Sequence, residues 1–301
     1  MAKFSCSLRK PVSQSNQRAL LTFYYHKVEK GLALPSPRKE FGALWITGNF
    51  LPLLGSYVKD FKIDEVVASS CRALQAYIDI HSRDFEGESV VLDAIEHALQ
   101  RVNYSEVEAE GGTRAILASS IASASQIDFE AFALARHSIR NFAQRDVERQ
   151  VVERAVSIAR TAPSVCNRQP WRVYGLTDKT KIRSALKFQN GNKGFGEDIR
   201  CLLLVTGDLS AMISQHERNE IYIDGGLFSM NLIYALQALG LGTCCLNLCL
   251  PYTQEKRLAR FYNCPPQLRV IMMIAVGHLP DSLVVACSHK RAVSDLFDWC
   301  D

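Results

Sequence analysis

The apolar runs of this 301-residue chain are short, and the clearest examples are residues 201–205 and 270–276. A helix that crosses a bilayer needs about 20 consecutive apolar residues, so neither run is long enough to span a membrane. Runs of this length are typical of strands that are buried inside a sheet. The sequence therefore predicts a globular protein that contains buried strands and has no membrane partner.

The composition agrees with an ordered protein, because 48% of the residues are hydrophobic and 22% are charged. The formal net charge is only +4, and basic residues are interspersed with acidic ones. This pattern does not favour nucleic-acid binding. The first residues include no apolar segment of signal-peptide length, so we expect a cytoplasmic protein.

Ten cysteines are dispersed along the chain, which is typical of free thiols that pack as small apolar side chains. The densest group is Cys244, Cys245, Cys249 and Cys264. It lacks the paired C-x-x-C spacing of zinc and iron–sulfur sites. We therefore expect no bound metal.

The first part of the chain has helical periodicity. Apolar residues recur three and four apart over residues 19–30, 64–81 and 89–103. Asp64 and Ser89 are residue types that cap helix N-termini. Residues 1–125 are therefore predicted to form an all-helical extension.

A Gly-, Ala- and Ser-rich stretch over residues 111–125 suits a linker, and the pattern changes after it. Helices are predicted over residues 129–136, 146–160, 178–188, 222–239 and 253–262, with strands over 171–176, 199–206, 243–246 and 268–276. This mixture indicates an α+β domain over residues 126–301, built around a modest sheet with helices flanking it.

The first candidate cluster is ARHSIRNF, in which Arg136, Ser138 and Arg140 alternate directly after a predicted helix. Each guanidinium can form two charge-assisted hydrogen bonds to a phosphate or a polarised carbonyl. Surface salt bridges explain such a pair of arginines equally well.

The second cluster is ARTAPSVCNRQPWRVY, where polar amides stand beside proline and tryptophan at the start of a strand. Asn167 and Gln169 each offer a donor and an acceptor, which the edge of a flavin or pterin pyrimidine ring requires. Alternatively, Pro163 and Asn167 only shape the turn.

Two weaker signals follow. Gly240 and Gly242 lie between a long helix and a strand, where glycine lets a backbone approach a planar ligand, although Gly240 could simply end the helix. Lys290 and Arg291 form a late basic pair that, taken alone, indicates surface charge.

The four clusters together resemble the nitroreductase family. They match its R-x-S-x-R, A-P-S-x-x-N-x-Q-P-W and G-L-G-T elements and its late basic pair, in the same order and over residues 129–297. The resemblance implies a nitroreductase-like fold with an antiparallel-rich sheet. It also implies a homodimer that holds FMN non-covalently at its interface.

Matched position by position, the resemblance also implies which residues contact the flavin. These residues are Arg136, His137, Ser138, Arg140, Pro163, Ser164, Val165, Asn167, Leu241, Gly242, Thr243, Cys244, Lys290 and Arg291. NADH or NADPH would reduce the FMN, which would then reduce a small acceptor such as a nitroaromatic or a quinone. The cofactor performs the redox chemistry, so no catalytic side chain is expected.

Some neighbouring residues have two readings. His216, Glu217 and Arg218 could shape the acceptor pocket or form a solvated helix end. Cys166 and Cys244 would lie beside the flavin, where packing is expected more than proton donation.

The segment YYHKVEKGLALPSPRKEFG resembles an extension of nitroreductase-like proteins from polysaccharide-synthesis loci, which implies a link to that metabolism. His26 and Glu29 are three apart on its helix and could hold a ligand. A helix that covers the flavin entrance or extends the dimer interface is the other interpretation.

Two further functions share these motifs. The protein could be a flavin-binding scaffold whose extension blocks substrate, or a flavin-consuming or dehalogenating enzyme of the same fold. Oxidation of NAD(P)H in the presence of an acceptor, followed by product analysis, distinguishes them.

Overall fold

Every regular element before residue 135 is a helix in the computed structural model, which describes residues 13–82 and 89–300. The helices are α1 (Gln14–Leu32), α2 (Ala43–Trp45), α3 (Leu51–Asp60), α4 (Glu65–His81), α5 (Val90–Leu99), α6 (Ala118–Ala124) and α7 (Phe129–Leu134). The all-helical N-terminal part is therefore confirmed. Residues 1–12, on which the expectation of no signal peptide rests, lie outside the described residues.

The sequence pattern did not predict the helical run over residues 43–60. In this run a π-helical segment, Ile46–Phe50, ends two residues before Pro52. Proline has no N–H to donate to the preceding turn, and the wider π turn lets the helix continue past it. Gly48 and Gly55 are weak helix formers and further obscure the helical pattern.

Asp64 joins three helices through one carboxylate. One oxygen caps α4 by accepting hydrogen bonds from the backbone N–H groups of Val66 and Val67, both at 3.1 Å. The other oxygen accepts a hydrogen bond from the Tyr57 hydroxyl of α3 at 2.7 Å and pairs with Arg18 of α1. The predicted cap is confirmed, and it also ties the helices of the extension together.

Four antiparallel strands form the sheet in the order β1-β2-β4-β3. The strands are β1 (Trp171–Leu176), β2 (Cys201–Asp208), β3 (Leu241–Leu246) and β4 (Leu268–His278). All four predicted strands are present, and β1 has the predicted bounds.

Helices cover both faces of the sheet. They are α8 (Arg149–Ala159) and α10 (Glu220–Ala238) on one face, and α9 (Lys179–Leu186) and α11 (Tyr252–Phe261) on the other. Along β2, Leu203 and Val205 pack against α8 and α10, whereas Leu202 and Leu204 pack against α9 and α11. Burial on both faces explains the continuous apolar run. The predicted α+β fold is therefore confirmed.

The segment between the extension and the sheet is exposed, and every residue from 113 to 130 belongs to this class. This is the expected setting for a linker, while the boundary at residue 125 stays a prediction. Across the described part of the chain, no helix has both the length and the apolar character needed to cross a bilayer.

We predict that Asp64→Ala lowers the free energy of unfolding by about 2 kcal/mol, because it removes a helix cap and leaves the Tyr57 hydroxyl without its acceptor. Urea unfolding followed by circular dichroism measures the change. Asp60→Ala at an exposed position of α3 is the matched control and should stay within about 0.5 kcal/mol of the wild type. Equal losses in both variants would contradict the assigned role.

Candidate cofactor site

The first and third sequence clusters come together at the β3 edge of the sheet. The backbone N–H of Ile139 donates to the carbonyl of Thr243 at 2.8 Å, and Ser138 forms a parallel bridge with the same residue. The two clusters are about one hundred residues apart in sequence, yet they share one strand edge. We call this place the arginine corner, defined by Arg136, Ser138, Arg140 and Thr243.

The two arginines of this corner are available to an anion. Arg136 is half-buried and Arg140 is exposed, and within the described ranges neither guanidinium has a carboxylate within 4 Å. Burial raises the pKa of the Cys244 thiol, and the positive charges of Arg140 and Arg136 oppose that rise. Both guanidiniums therefore lie close to the start of β3.

The predicted site residues at the start of β3 have buried side chains. Leu241, Thr243 and Cys244 are each buried to 5% exposure or less, so their side chains face the protein interior. A Cβ on Gly242 would approach side chains of Leu279 and Ile139 to between 2.7 and 3.1 Å. A glycine is therefore needed here so that Ile139 and its neighbours can pack against β3. No described atom lies within 4 Å of a Cβ on Gly240; its φ of +80° matches a helix C-terminus.

The second cluster forms a tight turn before β1, over residues 164–169. Cys166, Asn167 and Gln169 have φ angles of 49°, 52° and 46°, which side-chain-bearing residues adopt at a cost. The Ser164 hydroxyl oxygen accepts a hydrogen bond from the backbone N–H of Gln169 at 3.0 Å and closes the turn. We call these six residues the amide turn.

Asp224 of α10 stabilises the amide turn by accepting a hydrogen bond from its backbone. Both carboxylate oxygens lie 3.2 Å from the backbone nitrogen of Val165, and the residue is only 2% exposed. Burial raises the pKa of Asp224 from its ordinary value of 3.8 to about 6, and the bond from Val165 opposes this rise. Sequence analysis did not single out Asp224, because an acid on an apolar helix identifies no partner by itself.

A buried ion pair fixes the same turn from the other side. The Arg168 guanidinium donates to both carboxylate oxygens of Glu217, at 2.7 and 3.0 Å, and to the Ala211 carbonyl at 2.6 Å. The sequence treated Glu217 as an acceptor-pocket residue or a solvated charge. Its pairing with Arg168 argues against the solvated charge, and a place in the acceptor pocket stays a prediction. His216 and Arg218, on either side of it, are exposed.

The extension contacts the amide turn directly. Ala19 of α1 belongs to one apolar cluster with Leu209, Ala211 and Ile221, and Val165 packs against that cluster. His26 Nδ1 lies 3.3 Å from Glu29, which also accepts a hydrogen bond from Gly112 N–H at 3.1 Å. The His26–Glu29 pair is therefore accounted for by contacts inside the extension.

The late basic pair lies in an exposed segment, residues 286–300. The Lys290 ammonium donates to the Ser288 carbonyl, and the Arg291 guanidinium donates to the Asp295 carbonyl and lies 3.9 Å from the Asp295 carboxylate. Their predicted closure on a flavin phosphate stays a prediction.

The arginine corner and the amide turn lie at diagonally opposite corners of the sheet. Trp171 pairs with Gly207 of β2, whereas Thr243 pairs with Val276, which in turn pairs with Cys201 of β2. Six residues along β2 and three strand spacings across the sheet separate the two places by about 25 Å. Within one chain they are two separate clusters.

A family model described as the nitroreductase family matches residues 133–190 and 183–278 of this chain. The chain belongs, through these residues, to the nitroreductase family. The matched region contains the arginine corner and the amide turn, and leaves out residues 1–132 and the late basic pair.

Two named proteins are also similar in sequence to this chain. A 4-nitrobenzoate reductase of Pseudomonas putida is 37% identical over 54 residues, which are 18% of this chain and 24% of that protein, so the chain spans about a quarter of that relative. A protein named as an NADH dehydrogenase/NAD(P)H nitroreductase, from Archaeoglobus fulgidus, is 24% identical over 149 residues, covering 48% of this chain and 82% of its own.

The nitroreductase fold also appears in the comparison with solved structures. A Staphylococcus epidermidis structure assigned as an NAD(P)H:FMN oxidoreductase has a TM-score of 0.51 at 17% identity, and the match covers 57% of this chain and 95% of that chain. At this identity the likeness concerns the fold alone. The match leaves the remaining residues of the present chain uncovered.

We predict that Glu217→Ala destabilises this nitroreductase domain by about 3 to 5 kcal/mol, because it leaves the Arg168 guanidinium buried without its partner. Chemical unfolding of the purified protein measures the loss. Arg218→Ala, at the adjacent exposed position, should cost less than about 0.5 kcal/mol. A small effect of Glu217→Ala would show that the guanidinium is not held in a buried pair.

We also predict a pH effect from Asp224. Its pKa is higher in the folded state, so between about pH 4 and pH 6 the folded protein binds more protons than the unfolded chain, and the contribution of Asp224 to stability falls as pH rises. The unfolding free energy of the wild type, relative to that of Asp224→Asn, should decrease across this window by on the order of 2 kcal/mol. Parallel pH profiles of the two proteins would refute the assignment.

Proposed function

We propose that this protein is an FMN-dependent oxidoreductase that uses NADH or NADPH to reduce a small acceptor. The observation that carries the proposal is the pair of arginines, Arg136 and Arg140, that lack carboxylate partners in the described chain beside a backbone edge. When bound, FMN would supply the redox chemistry by accepting a hydride from the nicotinamide and passing electrons to the acceptor.

The arginine corner fits the anionic parts of FMN. Arg136 stands two residues before Ser138 and Arg140 two residues after it, on the segment that bridges the β3 edge at Thr243. Guanidinium groups bind phosphate and polarised carbonyl oxygens through paired charge-assisted hydrogen bonds. In this role the corner holds the cofactor and places positive charge beside the ring.

The amide turn fits the flavin ring. Asn167 offers both a donor and an acceptor, and its unusual backbone angle is maintained by Ser164 within the turn and by Asp224 below it. A binding group held in this way loses little freedom when the ligand arrives. In the proposed mechanism these residues bind, orient and exclude water, and no side chain has to transfer a proton.

The distance between the arginine corner and the amide turn supports a homodimer. A separation of about 25 Å is too large for both to contact one flavin ring within a single chain. The outer side of α10 carries exposed apolar residues, namely Tyr222, Ile223, Leu227 and Met230. Such a contiguous apolar stripe is typical of an interaction surface. We infer that a second copy packs on α10 and brings its amide turn to the arginine corner of the first.

The C-terminal segment supports the same assembly. Val293, Leu296, Phe297 and Trp299 are between 52% and 81% exposed, and the Phe297 and Trp299 rings pack edge to face with centroids 4.9 Å apart. Large apolar side chains of this kind are normally covered. In the dimer we expect this segment to lie on the partner and to bring Lys290 and Arg291 near the cofactor.

The acceptor is proposed only as a class, a small nitroaromatic or quinone-like molecule. The link to polysaccharide synthesis, inferred from the N-terminal segment, stays a prediction of the sequence.

The first test is the visible spectrum of the purified protein and its response to NADH and NADPH. We expect a yellow dimer whose flavin absorbance bleaches with at least one nicotinamide and returns when a quinone is added. A folded protein that takes up no FMN would overturn the proposal. A protein that binds FMN but oxidises neither coenzyme would instead be a flavin-binding scaffold.

We predict that Arg140→Ala weakens FMN binding about tenfold, because one charge-assisted interaction is lost. Fluorescence titration of the flavin-free protein with FMN measures the dissociation constant. Arg154→Ala is the control, since this exposed arginine on α8 has no carboxylate within 4 Å in the described structure. Equal affinity of the two variants would remove Arg140 from the site.

A further inference from the structure

Helix α1 is fixed to the nitroreductase domain beside the amide turn. The Asn16 side-chain amide donates to the Ser210 carbonyl at 2.7 Å in a fully buried contact, and Leu20 packs with Ile213. One turn further along, Ala19 and Val165 share an apolar cluster. The extension therefore supplies a rigid wall next to residues that are expected to line the flavin.

Lys27 lies on α1, with its ammonium over the rings of Trp45 and Phe23. Its ammonium is 4.3 Å from the centroid of the Trp45 ring and 6.0 Å from that of Phe23. Trp45 in turn stacks on Tyr24, with centroids 5.8 Å apart and planes 17° from parallel. Lys27, Phe23 and Trp45 are all half-buried, so the platform is held in place and still reaches solvent.

The Lys27 charge has no acidic counterpart. No carboxylate of the described residues lies within 4 Å of its ammonium, and the nearest acid along the helix, Glu29, is already bound by His26 and Gly112. Burial lowers the pKa of Lys27, the charge of Lys30 lowers it further, and the Cys166 thiol of the amide turn acts in the opposite direction. Burial therefore leaves the ammonium partly desolvated, and its helix packs against the amide turn through Ala19.

We propose that Lys27 selects acidic aromatic acceptors, with its ammonium binding the acid group and the half-buried rings of Trp45 and Phe23 contacting the aromatic part. This inference rests on the proposed function, because it assigns a substrate class to the same flavin site. A partly desolvated cation binds a carboxylate more strongly than a solvated one. The edges of the Phe23 and Trp45 rings add contact area, because Lys27 and Tyr24 already lie against the Trp45 faces. Lys27 is a specificity residue and takes no part in the redox step.

The experiment compares two acceptors that differ mainly in charge, 4-nitrobenzoate and 4-nitrobenzamide. Binding to the oxidised FMN-loaded protein is measured by calorimetry, and reoxidation of protein reduced with one equivalent of dithionite is followed by stopped flow. The variants are Lys27→Gln, which removes the charge, Lys27→Arg, which keeps it, and Lys30→Gln, an exposed control on the same helix. NADH binding is measured alongside, because the coenzyme is also anionic.

We expect the wild type to bind the acid more tightly than the amide, and Lys27→Gln to weaken binding of the acid about tenfold with the amide within twofold. Lys27→Arg should retain most of the preference, and Lys30→Gln should behave as the wild type. Equal losses for both acceptors would mean that Lys27 only supports the packing of α1, and no loss would mean that it does not meet the acceptor. A wild-type protein without flavin would instead defeat the proposed function and this inference with it.

Discussion

The buried pair of Arg168 and Glu217 is the interaction on which the rest of the site depends. The guanidinium has three partners at once: the Glu217 carboxylate, the Ala211 carbonyl and the Val165 carbonyl. It therefore ties the amide turn to the loop before α10. A buried charge tolerates displacement poorly, because any loss of a partner leaves desolvation uncompensated. The turn keeps its costly backbone angles for this reason.

The sequence predicted β1 with its bounds, because Trp171 to Leu176 is enclosed by Pro170 and the helix cap Asp178. It also singled out Arg136, Ser138 and Arg140, which the fold brings to Thr243, although their contact with a flavin stays a prediction. It could not predict that Glu217 is half-buried against Arg168 while its neighbours His216 and Arg218 are exposed, since loop packing decides this. Periodicity is a property of one element, whereas the partners of a charge belong to the whole fold.

The same distinction applies to the arginine corner and the amide turn. Each was visible in the sequence, but only the strand order β1-β2-β4-β3 shows that they end at opposite corners of the sheet. Helix α10 spans the space between them. Asp224 contacts the amide turn, and the Gln237 side-chain amide donates to the Phe132 carbonyl at 2.7 Å, four residues before Arg136. Asp224 and Gln237 are thirteen positions apart on this helix, which is about 20 Å and agrees with the separation estimated across the sheet.

The helical extension and the amide turn meet at one loop. Ala211 accepts from Arg168 on one side and packs with Ala19 of α1 on the other. Lys27 lies about two helical turns beyond Ala19 on α1, so a change there leaves these contacts in place. In the proposed function, the amide turn can therefore keep its hold on a flavin while more distant positions of α1 vary. If the redox chemistry belongs to a bound cofactor, as proposed, this helix is a place where acceptor preference can change at little cost in stability.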